Sequence, residues 1–394
     1  MIKTIDVYII HVDSVSFTYL MDIDLRSRSF QHTSMIYKEV VGIVVGGYSN
    51  GQFSDRVSEW RAIGRPIIQY METDWSFLKR LSSHFNSYLV PSLLSEGPQF
   101  YFGQPNPDRG SIEVHNYSVH RDFGRLKRIQ TEVPGAYELD FTEFEVEVYD
   151  IYKLGDKVTF GNVQAYISRT EYSYENSIIR NTLRLTQRKG MSTLFVPNNN
   201  IAGVSLFGKV IAVARDRVKI HLDIDEVQNL AEAYWYPYAT MYASEGEVGW
   251  FCMPELGDAV RLYHPDGDEG NAMVINSIKA HDPNEDVERL DPEHRMIDPD
   301  VKYLRSAFGK EVRIRPDGID VIAKDDNVFM SLNDDGTITI ISNDKISIAA
   351  VNDIEVKAKN IFFEALERIS MKSKGSTIDL ETDIEVKGEE VKTN

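Results

Sequence analysis

From Lys345 the chain reads Lys345-Ile-Ser-Ile-Ala-Ala-Val-Asn-Asp-Ile-Glu-Val-Lys-Ala-Lys-Asn-Ile-Phe-Phe363. Pairs of the form apolar–x–apolar recur in and beyond it: Ile346/Ile348, Ile354/Val356, Ile361/Phe363, Ile369/Met371, Ile378/Leu380 and Ile384/Val386. Their first members step by 8, 7, 8, 9 and 6 residues, with polar turns such as Asn352-Asp353, Lys374-Gly375 and Gly388 between them. A period of two inside each pair is the mark of a short strand with one apolar face. One such unit buries too narrow a face to be stable alone. Units of this kind become stable by stacking along an axis, and identical chains can close the core between them. The reading for 304–394 is therefore a β-helical needle, closed as a homotrimer, with those twelve side chains in its interior. A plain antiparallel meander is the competing reading; six regular units without a long loop favour the stack.

Working outward, His281 to Asp300 holds eight carboxylates, two arginines and Pro283, Pro292 and Pro299. That composition describes a solvated, extended connection, so residues 281–303 read as an acidic linker. Before it, 201–280 carries four or five short strand-like runs, among them Val204–Ile211, Val218–Leu222, Ala259–Tyr263 and Ala272–Ile278, separated by turns such as Pro265-Asp-Gly267. This pattern suits a small closed barrel of the OB type. Residues 1–200 mix strands with a few helices. Ser34 is a candidate N-cap for one helix, and Thr73 or Asp74 opens a clearer one, with Trp75, Phe77, Leu78, Leu81 and Phe85 near 3.6-residue spacing. Phe141–Val148 alternates apolar and acidic residues, as a half-buried strand does, and Val158–Arg169 and Ile178–Leu185 read likewise. The fold class is mainly β with a few helices: an α+β hub, an OB barrel and a needle.

Composition sets limits on function. The 394 residues carry a formal net charge of −18, divided as −2 over 1–203, −11 over 204–303 and −5 over 304–394. An acidic chain of this kind argues against nucleic acid, whose affinity comes mainly from cations meeting phosphates. The single cysteine, Cys252, precludes an internal disulfide or a Cys-rich zinc site. Asp6, His11 and Asp13 interrupt the N-terminal apolar run before it reaches the length of a signal-peptide core. No apolar run is long enough to cross a membrane as a helix. Synthesis in the cytoplasm without general secretion is the expectation.

Two stretches then become recognisable. Gln69-Tyr-Met-Glu-Thr-Asp-Trp-Ser-Phe-Leu-Lys-Arg-Leu81, followed by His84, closely resembles the QYxETDWxFLKRLxxH motif of hub proteins in contractile injection systems. Tyr234-Trp-Tyr-Pro-Tyr-Ala-Thr240, with Gly249-Trp-Phe-Cys-Met-Pro-Glu-Leu-Gly-Asp258, resembles the OB domain of the same family, which includes VgrG spikes of type VI secretion, phage late control D proteins and the hub–spikes of tail-like bacteriocins. The resemblance runs from about Leu25 to the C-terminus in the family's order of hub, OB fold and needle. It singles out Gln69, Glu72, Thr73, Asp74, Trp75, Phe77 and Leu78 in the hub, and Trp235, Pro237, Trp250, Pro254, Gly257 and Asp258 in the OB domain. It implies a trimer that caps an inner tube, meets baseplate proteins, and pierces a target envelope when a sheath contracts. Hubs of this family have a longer N-terminal part than the 24 residues that precede Leu25 here, so the expectation is that either the first barrel is reduced or this chain lacks its beginning.

Glu72 and Asp74 form a carboxylate pair, which reads better as helix-start chemistry than as an acid/base couple. His84 reads as a packing or hydrogen-bonding residue, His115 and His120 lack further ligands at metal spacing, and Cys252, between Phe251 and Met253, reads as a buried inert thiol. No histidine follows His294, which removes the ligands for an iron-binding apex and points to a separate tip protein of the PAAR type. The stretch between OB fold and needle is too short for a catalytic domain. No catalytic, cofactor-binding or metal residue is expected. The alternatives are a tail-associated protein that binds or degrades cell wall, and a trimeric adhesin, for which neither export signal nor receptor-binding head is visible.

Overall fold

Residues 2–4, 7–9, 12–114, 116–175, 177–244, 248–278, 298–324 and 327–380 are described in the computed structural model. The chain divides into two compact units, residues 1–281 and 282–394. His115, most of the acidic linker, and Ile384 and Val386 lie outside the described residues.

Beside a hairpin of Ile2–Thr4 and Val7–Ile9, the described residues of the first unit form three assemblies. In the first, Leu25–Phe30 pairs antiparallel with Ile67–Thr73. A second small sheet joins Gln52–Asp55, Gln99–Phe102 and Leu89–Pro91 in that order. Helices α1 (Tyr37–Gly46) and α2 (Asp74–Ser83) supply Val40, Val41, Val44, Phe77, Leu78 and Leu81 to one core with Phe30 and Phe102. The start of α1 differs from expectation. Its N-cap is Ile36, whose N–H donates to Glu39 at 2.9 Å, and not Ser34. Residues 32–35 form a turn closed by the Met35 amide on the His32 carbonyl at 2.9 Å, and the Ile36–Ala62 bridge with the Ile63 and Gly64 amides on the Met35 and Thr33 carbonyls holds the segment there, so the helix begins only after Ile36.

The second assembly is a six-stranded sheet. Its order is Asp108–Ser111, Lys157–Phe160, Val163–Glu175, Ile178–Thr186, Thr142–Val148, Tyr117–Arg121. Helix α3 (Phe123–Ile129), capped by Asp122 accepting from the Arg125 amide at 2.8 Å, bridges the last two strands in sequence. Alternation along 142–148 buries Val146 and Val148 and exposes Glu147, which is the period-two pattern read from sequence.

The third assembly has the strand order Tyr236–Pro237, Arg217–Leu222, Ser205–Ala214, Ala259–Tyr263, Met273–Ile278. A bridge from Tyr238 to Val274, with the Ala239 amide on the Val274 carbonyl at 2.8 Å, ties the first of these to the last and closes the barrel. Val210, Val218, Ile220, Leu222, Tyr236, Val260, Leu262 and Val274 fill it.

The second unit opens with an antiparallel meander of five strands: Lys302–Arg305, Glu311–Arg315, Gly318–Lys324, Val328–Asn333 and Ile338–Ile341. A hairpin of Ile369–Ser373 and Ser376–Leu380 follows later. No strand is formed between 342 and 368, and the described residues of 304–394 do not form a β-helical stack.

Candidate functional site

The motif over 69–84 builds two buried charge clusters. Thr73 caps α2, its hydroxyl accepting from the Ser76 amide at 3.1 Å. Asp74, in the first helical turn, is 1% exposed and collects donors from three other segments. Arg28 and Arg26 pair with it, the latter at 3.2 Å; Gln69 Nε2 donates at 2.9 Å and Tyr48 OH at 2.8 Å. Gln69 also accepts from Arg28 Nε at 2.8 Å and donates to the Glu72 carbonyl. Burial, with the bond to Asp74 adding to it, pushes the Tyr48 phenol up to about 12. Arg28 is drawn below its ordinary value, because desolvation outweighs the nearby carboxylate.

Arg80, 3% exposed, centres the second cluster. It donates to Glu72 through Nε and Nη2 at 3.1 Å, to Glu269 through Nη1 at 2.9 Å, and to the Ile68 carbonyl at 2.8 Å. Asn198 Nδ2 bonds the same Ile68 carbonyl and Glu269 at 2.8 and 3.0 Å. Glu269 belongs to the barrel and Arg80 to α2, so one guanidinium joins the two assemblies. Around it, Arg65 Nη1 donates to both carboxylate oxygens of Asp268 at 2.6 and 2.8 Å. The Ser29 amide and hydroxyl bond Asp225 at 2.6 and 2.5 Å, and Gln31 accepts from the Tyr234 amide. Ile68 completes the joint by packing inside the barrel core. Glu72 and Asp74 are thus engaged by arginines. The expectation that they serve the helix start holds for Asp74 only by position; Thr73 does the capping, and the carboxylates cross-link distant segments.

His84 sits under α2 with Nδ1 2.8 Å from Tyr37 OH and its ring against Phe195. Burial, reinforced by Arg80, Arg65 and Arg61, pushes its pKa down to about 3, so the imidazole is neutral. Phe77 and Leu78 are fully buried, while Trp75 is half-buried and meets Phe100 edge-on at 5.3 Å.

In the barrel, Trp235 lies under the Lys219 ammonium at 5.1 Å and Pro237 pairs with Arg217. Pro254 is buried and Trp250 exposed. Gly257 takes φ +91° in the turn where Asp258 accepts from the Glu255 amide at 2.9 Å, a geometry that a side chain would strain. Cys252 is exposed, which corrects the expectation of a buried thiol. It lies in the stretch between Tyr236–Pro237 and Ala259–Tyr263, and its neighbour Phe251 is 75% exposed as well.

In the second unit the meander has two unlike faces. Register places Leu304, Val312, Val321, Met330 and Ile340 in one row across all five strands, and Ile314, Ile319, Leu332 and Ile338 in the next. These nine apolar side chains share a face and are each between 38% and 66% exposed. The reverse face combines ion pairs with an apolar row of Ile322, Phe329 and Ile341. Glu311 lies between Arg305 and Arg313 at 2.9 and 2.6 Å; Asp320 accepts from Arg315 and Ser331 at 2.9 and 2.8 Å, and the Arg315 bond holds its carboxyl below the usual range. Further along, Ile346, Ile348, Ile354, Val356, Ile361 and Phe363 are exposed, and Ile369 and Met371 pair in register with Leu380 and Ile378 across the hairpin. Sequence reading missed the open face on 302–341. Its signal was present in Glu311-Val-Arg-Ile-Arg315 and Gly318-Ile-Asp-Val-Ile322, both of period two.

Residues 207–278 match the family model of the type VI secretion system/phage-baseplate injector OB domain. No curated protein matches the sequence. Among solved structures, the Escherichia coli c3393 protein, described as a type VI secretion component similar to T4 bacteriophage tail proteins gp27 and gp5, gives a TM-score of 0.48 at 15% identity, over 66% of this chain and 76% of that one. A chain of the Francisella PdpA–VgrG complex gives 0.44 at 8% identity, over 82% and 70%. The 43 kDa tail protein of prophage MuSo2 from Shewanella oneidensis gives 0.35 at 9%, over 45% and 70%. The barrel thus matches the injector OB-domain model, and the chain's resemblance to hub–spike proteins of contractile injection systems rests on that match together with the motifs.

Proposed function

We propose that this chain is the hub–spike subunit of a contractile injection machine and works as a homotrimer. In this reading, residues 1–200 form the hub that caps an inner tube and meets the baseplate. Residues 201–280 form the OB collar, 281–303 the linker, and 304–394 the spike that pierces the target envelope. The subunit is assembled into a virion, a tail-like particle or a secretion apparatus. It does no chemistry itself, and a separate PAAR-like protein sharpens its tip.

The observation that carries the reading is the open apolar face on 302–341. A soluble sheet rarely leaves nine Val, Ile, Leu and Met side chains half in water on one face. Covering them recovers about 1 kcal/mol per side chain, which is enough to drive association. In this reading three copies turn these faces toward one axis, which the apolar pairs at 346–363 extend. Light scattering of the purified chain tests this. The expected mass is three times 45.0 kDa. A monomer at micromolar concentration defeats the trimeric spike.

A further inference from the structure

The chain from Ser58 to Arg61 makes a turn that its residues should avoid. The Arg61 amide bonds the Ser58 carbonyl at 2.8 Å. Both central residues have positive φ, 47° at Glu59 and 65° at Trp60. That is the φ pattern of a type I′ turn, which Asn-Gly adopts readily and Glu-Trp adopts only under strain. The surroundings hold it from both sides. Asp55 accepts from the Val57 and Ser58 amides at 3.1 and 3.0 Å and from the Ser58 hydroxyl. On the far side the Arg61 carbonyl accepts from the Tyr37 amide at 3.0 Å. Strain held in this way marks ligand clamps and similar sites.

What the strain achieves is display. Trp60 is 75% exposed, so the turn presents an indole to solvent. Beside it is a cavity of about 340 Å³ lined by Lys38, Asp55, Arg56, Val57, Glu59 and Trp60. The Lys38 ammonium stands 5.1 Å from the ring centroid, and Arg56 is steadied over Tyr101 at 5.6 Å.

We infer that this cavity is a saccharide subsite, with the Trp60 indole as the platform for a sugar ring. The lining carries two cations and two carboxylates, so it suits a neutral ligand better than an anion or a cation. A pyranose offers an apolar C–H face to the indole and hydroxyls that both donate to Glu59 and accept from Lys38 and Arg56. An apolar peptide placed there would bury four charges. The volume lies at the lower end for small-molecule sites and fits one or two rings of a chain that continues outside.

Chitotetraose and maltotetraose, titrated separately into the full chain and followed by saturation-transfer NMR, test the assignment. Binding in the millimolar range or tighter is expected for at least one probe. Response to chitotetraose alone points to wall-type acetylated polymers, and response to both to ring stacking alone. Trp60→Ala should weaken binding at least tenfold, whereas Tyr149→Ala, an exposed aromatic elsewhere, should leave it unchanged. The double substitution E59N/W60G should abolish binding and raise the melting temperature, because it relieves the turn. A silent titration with both probes, binding retained in Trp60→Ala, or a lowered melting temperature in E59N/W60G overturns the proposal. A loss of oligomer mass in Trp60→Ala without sugar binding overturns it too, and assigns the indole to a contact between chains.

Discussion

Arg80 shows what a single residue does in this molecule. Its guanidinium has Glu72 on one side and Glu269 on the other, all nearly excluded from water. Arg80→Ala leaves two carboxylates buried without their cation, a loss of about 3–5 kcal/mol. Urea denaturation of this variant should show a markedly lower midpoint, partly restored when Glu72→Gln and Glu269→Gln are added. Histidines supply a second prediction. His84 and His264 are held to about 3 and about 4 by burial, against 6.5 in the unfolded chain. Below 6.5 the unfolded chain binds protons that the folded one refuses, so stability falls as pH drops from 6.5 toward those values, by up to about 1.4 kcal/mol per unit for each histidine. The urea midpoint should be lower at about pH 5 than at about pH 7, and His84→Gln should narrow the gap; equal midpoints would contradict buried neutral imidazoles. The motif residues were legible in sequence, but their partners were not. Arg26, Arg28 and Tyr48 stand far from Asp74 along the chain, and no periodicity links residues that meet only through tertiary packing.

At the scale of elements, α2 is the best-specified piece. Its apolar spacing buries Phe77, Leu78 and Leu81, and Thr73 both caps it and donates to Asp22. Thr73→Ala should cost about 1 kcal/mol, with Thr73→Ser recovering most of it; melting of the two variants side by side checks this. Strands with clear alternation, such as 142–148 and 217–222, were equally legible, because burial of one face repeats every second residue. The start of α1 was not, since a bridge to Ala62 outweighs the capping preference of Ser34. The turn at Glu59-Trp60 was hidden for the opposite reason. Its residues argue against the conformation that the surrounding hydrogen bonds impose.

For the whole molecule, the decisive surface is the one a single chain leaves uncovered. Val321→Asp places a charge in the middle of the open row that runs from Leu304 to Ile340. In a trimer it brings three such charges toward one axis, as Ile354→Asp does further along, and burial of unpaired charge is costly. Light scattering should report single chains for Val321→Asp; a trimer of unchanged stability would remove this face from the interface. The chain's own sequence determined the mainly β class, the strands of the OB barrel, helix α2 and the repeating pairs after Lys345, because each follows from local periodicity and turn chemistry. Only the tertiary structure decided how Asp74 and Arg80 gather distant residues, that Cys252 is exposed, that the 302–341 meander leaves one apolar face bare, and that Trp60 is displayed. Those features depend on register and on contacts between remote segments, which a pattern read along one chain does not encode.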